Sequence, residues 1–460
     1  MLEFINTYIF GFATPAALIA AGVFFAFRLK FFHVTRPALV WQTLTARNAG
    51  GGMSPARALS LALAGTLGVG NIVGVASAIH LGGVGSIFWM WVSALAAMLL
   101  KYAETVLALR HRRRGVDGEY HGGAMYYIKD FFAAHRHAKV GIFLAAMFAL
   151  LCILDAISMG CVIQVNAVSR ALLGVCNVGT AFTGGVLAVL TVAVIASGRD
   201  GIAHLTERLV PLMTVVYIIM SVAVMILRRD SLPAAFAAIL EDAFSFDSAL
   251  GGVVGFVLSR GVRYGTMRGL MSNEAGCGTA PIAHAGSSVS YPAQQGIWGI
   301  FEVFVDTILL CTMTAVVIII SLGEVSVYGA DPIMMTLRAY SAVLGSWSEY
   351  VMCAMVLFFG FATVICWAHY GMECVSYLTE RRGWRWTFVV AYGLAAAVGA
   401  VAAPDAVWSV ADFALGAMTI INLAVICAMS GEVVSETREY ISMMSTRRKS
   451  RSLRRGVDKT

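Results

Sequence analysis

Apolar residues in this chain run in long unbroken blocks rather than in the one-sided stripes of a surface helix. Blocks of about twenty residues suit helices that cross the hydrocarbon of a bilayer. The pattern predicts eleven such spans. An N-terminal one covers 7–28, and ten core helices follow at 58–80, 85–109, 140–168, 180–197, 209–227, 250–270, 295–321, 349–377, 386–403 and 407–429. A short interfacial helix is expected at 332–345, after Asp331-Pro332. No basic segment precedes the first apolar run, Tyr8 to Phe27, and no cleavage-like tripeptide follows it. It reads as a retained span rather than a signal peptide.

Composition agrees. Of 460 residues, 59% are hydrophobic and 13% charged, with a mean hydropathy of +0.79. Soluble domains carry about 25% charged residues. The chain is expected to be one all-α polytopic domain, with no soluble domain between spans. The nine cysteines lie mostly singly in apolar runs with no CxxC pair. That pattern favours small packing residues over zinc or a disulfide framework.

Charge orients the spans. If the basic tail from Arg447 to Lys459 is cytoplasmic, so are the loops at 28–57, 110–139, 199–208 and 381–385 and the inner end of core helix six. Together with the tail, which also holds Arg438, they carry 28 of the 33 Lys and Arg residues. Arg170, Arg228, Arg229 and Arg338 fall on the other side. The positive-inside rule then sets the N-terminus outside and the C-terminus in the cytoplasm of a cell (inner) membrane. The tail, 430–460, reads as an anchor in contact with anionic lipid. A pI near 9.0 needs no nucleic acid.

Polar interruptions carry the chemistry. Gly65-Thr66-Leu67-Gly68-Val69-Gly70-Asn71 sits inside the apolar run from Ala58 to Ile79. Glycine costs a helix interior about 1 kcal/mol relative to alanine. Unwound backbone inside a membrane is tolerated only where protein buries it or where it lines a watery cavity. Such a break exposes N–H groups on one side and carbonyls on the other, as carboxylate and cation sites of secondary transporters do. A dinucleotide fingerprint is excluded, because no strand precedes the glycines. Gly82-Gly83-Val84-Gly85 leads into the aromatic start of core helix two, an interfacial turn. A second rich stretch, Arg268 to Ala285, is too polar to face lipid and reads as a broken helix with a gating segment.

Ionisable residues within spans default to functional hypotheses. These are Lys101, Glu104, Asp155, Glu302, Asp306, Glu373 and Asp412. Lys101 and Glu104 stand i,i+3 and are expected to form an ion pair. Glu302 and Glu373 are expected near the interface. Gln164 and Asn166 share core helix three. Thr363 and Trp367 stand i,i+4 on core helix eight and so share a face.

The runs GTLGVGNIVGVASAI, GGVGSIFWMW and RGLMSNEAGCGTAPIAHA resemble the motifs of the alanine or glycine:cation symporter family, also called the sodium:alanine symporters. The resemblance continues at Gln164-x-Asn166, Asp306-Thr307, Cys311 to Thr314, Phe361 to Thr363 with Trp367, and Trp408, Asp412 and Asn422, covering Gly51 to about Ala428. Val84 stands where the family commonly has proline, and Cys277 and Thr279 replace commoner small residues. The resemblance implies a LeuT-like fold of two inverted five-helix repeats, 58–227 and 250–429, with core helices one and six broken. It implies a secondary active symporter that imports alanine or glycine with Na+, has no organic cofactor and is not an enzyme. The substrate carboxylate is expected at the N–H groups from Gly68 to Asn71, beside Thr66. Its ammonium is expected at Gln164 and near Asn273, with Trp367 as the pocket wall. Na+ is expected among Gly65, Gly68 and Thr363, since hard cations prefer oxygen ligands. Proton coupling through Asp155 is the alternative. A channel is less favoured, since no filter-like repeat is visible.

Overall fold

The computed structural model describes residue 6 and residues 10–46, 53–115, 118–245, 260–322, 331–402 and 404–457. Apart from one two-stranded turn at 113–121, its regular elements are helices. The expected segment 250–259 of core helix six lies outside the described residues.

The chain opens with α1 (Gly11–Arg28) and the short α2 (Pro37–Leu44). The glycine-rich span divides into α3 (Pro55–Thr66) and α4 (Val73–Gly82), with a one-turn helix at Val69–Asn71 between them. The two halves are bent by 60°. Pro at the first turn and Ser54 start α3, the Ser54 hydroxyl accepting from the Arg57 N–H at 3.2 Å, as N-caps do. Next come α5 (Ser86–Arg110), α6 (Ala124–Ala134), the long α7 (Ala138–Cys176), α8 (Thr180–Ala196) and α9 (Gly198–Leu227). The α10 helix (Leu232–Ala243) lies over the start of α5: Asp242 accepts from the Gly85 N–H at 2.6 Å.

The second half opens with α11 (Arg260–Asn273). An unwound stretch at 274–279 and the short α12 (Ala280–His284) follow. Glu274, Gly276 and Gly278 take positive φ of 52, 88 and 82°, which ends the helix. Then come α13 (Pro292–Ser321), α14 (Pro332–Leu344), α15 (Trp347–Leu378), α16 (Arg382–Gly399), α17 (Pro404–Ala428) and α18 (Ser430–Val457).

Among the described residues, six helices are long and apolar enough to cross a membrane, or seven with the bent pair counted as one span. This is a multi-pass membrane protein. Its centre is α5, whose apolar stretch is 89% buried, packed against α11 and α13. By contrast α8, α9 and α16 leave Phe182, Val189, Leu212 and Val398 more than 60% exposed, the faces that meet lipid.

Two expectations need correction. The basic stretches at 110–139 and 430–457 are not plain loop and tail, since they hold α6 and α18. Nor do Lys101 and Glu104 pair with each other. Lys101 Nζ lies 3.3 Å from Glu302 of α13, while Glu104 accepts from Asn422 of α17. Tertiary packing brought nearer partners than the i,i+3 neighbour. Glu302 is accordingly fully buried in the protein.

The basic segments gather at one end. Arg57 meets Asp200 and Glu207, Arg199 meets Glu119, and Arg110 and His111 meet Glu436 and Glu432 of α18. Arg112 donates to the carbonyls of Ala285 and Ser287 after the second break.

Candidate functional site

The centre of the site is the first break. Leu67 has φ −76° and ψ 72°, and Gly68 N–H turns back to the Thr66 carbonyl at 2.8 Å. This is an inverse γ-turn, and it takes the chain out of α3. Gly68 then lies against α15 and α7. A Cβ there would come within 2.5 Å of Thr363 Oγ1 and 3.0 Å of Gln164 Oε1, so only glycine lets both side chains close over the break.

Both side chains bond the unwound backbone. Thr363 Oγ1 donates to the Ala64 carbonyl at 3.0 Å. Gln164 Oε1 accepts from the Val69 N–H at 3.0 Å, and its Nε2 donates to the Met159 carbonyl at 3.2 Å. One of the N–H groups expected for a ligand is thus capped by Gln164. Gly65 sits lower, its Cα facing the Tyr370 hydroxyl and Cys366.

Asn71 anchors the start of the second half. Its amide donates to Asp306 Oδ1 at 2.7 Å and lies 3.1 Å from the Ser272 hydroxyl. Ser272 and Thr307 also donate to Asp306, at 2.8 and 2.7 Å. Asn273 Nδ2 donates to the Thr307 hydroxyl at 3.1 Å, and its Oδ1 accepts from the Ala275 N–H at 3.0 Å. Asp306 therefore ties the first break to the start of the second. Buried polar groups demand such partners.

A small cavity of about 20 Å³ lies against the first break. Of the residues expected at a substrate, Thr66, Gly68, Val69, Gly70, Gln164 and Trp367 line it. Asn71 and Asn273 do not: both are spent on the Asp306 cluster. Of the residues expected at Na+, Gly65 and Gly68 line it, and Thr363 touches it through Gly68. Met159, Met271 and Trp408 also line it, with Val73, Gly74 and Ile163. The two methionines carry no chemical signal in the sequence and were not foreseen.

Two π-helical segments shape these walls, Ser158–Ile163 in α7 and Phe304–Cys311 in α13. Such bulges re-aim side chains and recur at functional sites. The first holds Gly160, where a Cβ would stand 2.3 Å from Trp367 Cβ. The missing side chain lets the indole, itself fully buried, pack close enough to reach the cavity. The second presents Asp306.

Above the cavity opens a vestibule of about 370 Å³. Val69, Val73, Ile163 and Trp408 line both spaces and so form the partition. The Arg268 guanidinium lies 4.7 Å over the Trp408 ring, a cation–π contact. An Arg170–Asp331 ion pair stands at the vestibule mouth. Asn166 also lines the vestibule, donating to the carbonyls of Gly399 and Ala402 at 3.0 and 2.9 Å.

Below the second break lies a buried charged relay. The Gln295 side-chain amide meets His284 Nδ1 at 2.9 Å, and His284 Nε2 meets Glu302 at 2.7 Å. Glu302 then meets Lys101. Beside it, Asn422 joins Glu104 to the Gly276 carbonyl, and Thr279 donates to Glu274 at 2.8 Å. Glu373 is partnered by His121 at 2.8 Å.

Comparison with known proteins adds to this geometry. The pattern of the "Sodium:alanine symporter family" matches residues 1–454. The chain is 35% identical to the sodium/alanine symporter AgcS of Methanococcus maripaludis, covering 96% of each chain. It is 34% identical to the probable sodium/glutamine symporter GlnT of Bacillus subtilis, over 92% of this chain and 86% of that one. The crystal structure of MhsT in complex with L-phenylalanine superposes with a TM-score of 0.53 at 15% identity, covering 85% of this chain and 89% of that one. The Eremococcus coleocola manganese transporter gives 0.52 at 12% identity, over 87 and 89%. At such identities these two likenesses speak for the fold alone, that of LeuT-fold transporters.

Proposed function

The chain belongs to the sodium:alanine symporter family, and from that premise we propose that it imports a small neutral amino acid, alanine or glycine, together with Na+. It is a transporter and not an enzyme. The observation that carries this reading is the small cavity against the unwound turn at Gly65 to Gly70, walled by Gln164 and Trp367.

In this reading the amino acid binds at that cavity. Its carboxylate meets N–H groups of the unwound turn from Gly68 to Asn71, which lie at the start of the second half-helix, where partial positive charge collects. Gln164, now on the Val69 N–H, turns to the ammonium as the carboxylate takes its place, and Asn273 supports that end through the second break. Na+ is held by carbonyls of Gly65 and Gly68 with the Thr363 hydroxyl, which now donates to Ala64. The ion fixes the turn in the shape that binds the amino acid, and by linkage the amino acid raises the affinity for the ion equally.

Cavity size supports the substrate class. About 20 Å³ is room for roughly one water, so an entering ligand must displace Met159 and Met271. Methionines adapt, but Trp367 is packed on Gly160 and sets the limit near a methyl side chain.

The architecture follows the same reading: α1 as an extra helix, eleven spans, and inverted repeats at 58–227 and 250–429 that each open with an interrupted helix. The end bearing the basic segments is cytoplasmic in a cell (inner) membrane, the N-terminus is outside, and the vestibule at Arg170 and Asp331 faces out.

Proton coupling is the second reading. Asp155 favours it, being fully buried with Ser158 beside it and no cationic partner among the described residues. Calorimetry on the purified protein separates the two. Alanine binding that needs Na+ at constant pH supports the first. Binding indifferent to Na+ but sensitive to an Asp155→Asn change supports the second.

A further inference from the structure

Away from the transport cavity, the structure holds an open pocket of about 550 Å³ between the end of α1 and α18. It exists because of how α1 stops. Lys30 and Phe31 both take left-handed backbone, with φ of 54 and 51°. The Phe31 N–H closes on the Ala26 carbonyl at 2.9 Å. This reversal buries Phe32, its ring 4.9 Å from that of Tyr102, and leaves Arg28, Lys30 and Arg36 on one rim. Arg438 of α18 supplies a fourth cation on the other rim.

The opposite wall is fixed. The hydroxyls of Tyr102 and Thr437 meet at 2.7 Å, and those of Thr43 and Tyr440 at 2.9 Å. Of the carboxylates of α18, Glu432 meets His111 and Glu436 meets Arg110, while Glu439 does not line the pocket. Among the described residues, Lys30, Arg36 and Arg438 have no carboxylate within ion-pair distance. Four cations thus line a pocket whose lining residues include no carboxylate.

Beside the pocket, α1 turns Phe24, Phe27 and Phe31 outward, at 39, 69 and 42% exposure. Its mouth therefore meets lipid-facing aromatic surface, at the end of the molecule where the basic segments gather. A ligand that satisfies both features has an anionic head and apolar chains. We propose that this pocket binds the phosphate headgroup of an anionic phospholipid, whose chains run along Phe24 and Phe27. Free phosphate shares the headgroup chemistry but leaves the aromatic surface unused.

The test is native mass spectrometry of the purified full chain, titrated separately with phosphatidylglycerol, phosphatidylcholine and inorganic phosphate. The wild type should hold one phosphatidylglycerol in preference to phosphatidylcholine. A Lys30→Gln/Arg36→Gln/Arg438→Gln variant should weaken that binding on the order of a hundredfold, each cation near a membrane surface being worth several-fold. The conservative Lys30→Arg/Arg36→Lys/Arg438→Lys variant should retain it. Arg36→Gln alone, at an exposed position, should cost about fivefold and covers the case in which the triple variant fails to fold. Neutralising Arg381, Arg382 and Arg385 instead removes as much charge outside the pocket and should change little. Equal binding by wild type and the triple glutamine variant would overturn the proposal. So would equal loss from the Arg381 set, or displacement of phosphatidylglycerol by millimolar inorganic phosphate.

Discussion

Gly68→Ala is the smallest perturbation that reaches the proposed binding centre. Gly68 has φ −113° and ψ −160°, a conformation open to any L-residue, so the backbone itself does not resist the change. The side chain does. Its Cβ would lie 2.5 Å from Thr363 Oγ1 and 3.0 Å from Gln164 Oε1, well inside ordinary contact. Both groups must retreat, which moves Thr363 off the Ala64 carbonyl and pushes Gln164 from the place proposed for the ammonium. The Thr363 bond contributes about 0.5–1.5 kcal/mol net, and overpacking adds about 1–3 kcal/mol. A loss of roughly 2–3 kcal/mol at the site corresponds to about 30- to 150-fold weaker alanine binding. Equilibrium binding of labelled alanine at saturating Na+ measures it. Gly185→Ala, where a Cβ meets nothing within 4 Å, is the control and should bind normally. Thr363→Ala in the Gly68→Ala background removes the worse clash and should regain part of the loss at high Na+. Wild-type affinity in Gly68→Ala would refute the reasoning, because the break could not then be the packed centre of the site.

Other outcomes follow from the same geometry. Thr363→Ala should raise the Na+ concentration for half-maximal uptake far more than it alters alanine affinity at saturating Na+; an unchanged Na+ dependence would move the ion elsewhere. Trp367→Ala should admit valine or leucine in competition assays and weaken alanine, with discrimination shifting by about 1–3 kcal/mol per methylene-sized change. If wild type already takes leucine as well as alanine, Trp367 is not the size filter. Lys101→Ala should lower unfolding stability by about 3–5 kcal/mol, because the buried Glu302 carboxylate keeps its His284 contact but loses the Lys101 ammonium; a thermal-unfolding midpoint near wild type would contradict the Lys101–Glu302 pairing.

Much of this site could be read from the sequence because glycine and polar residues are conspicuous inside apolar blocks. The break at Gly65 to Asn71 and the stretch from Arg268 to Ala285 both stood out that way. Pairing across the bundle could not be read. Asn71 and Asp306 each drew notice alone, yet nothing along the chain joins positions 235 residues apart. Lys101 lies three residues from Glu104 but finds Glu302, since the packing of α5 on α13 outweighs local spacing. The π-helical segments leave no sequence hallmark, so neither the seating of Trp367 on Gly160 nor the wall contributed by Met159 was visible. Charge counting grouped the basic loops, but it did not reveal that the tail folds as α18 and bonds Thr43, Tyr102, Arg110 and His111.

The central claim is that an inward Na+ gradient drives a small amino acid through the first break. Proteoliposomes holding the purified protein test it with labelled alanine under an imposed Na+ gradient at equal pH, and then under a proton gradient without Na+. The account predicts transient accumulation of alanine above its external level in the first case and none in the second. Accumulation driven by the proton gradient alone, or alanine flux indifferent to both gradients, would contradict it.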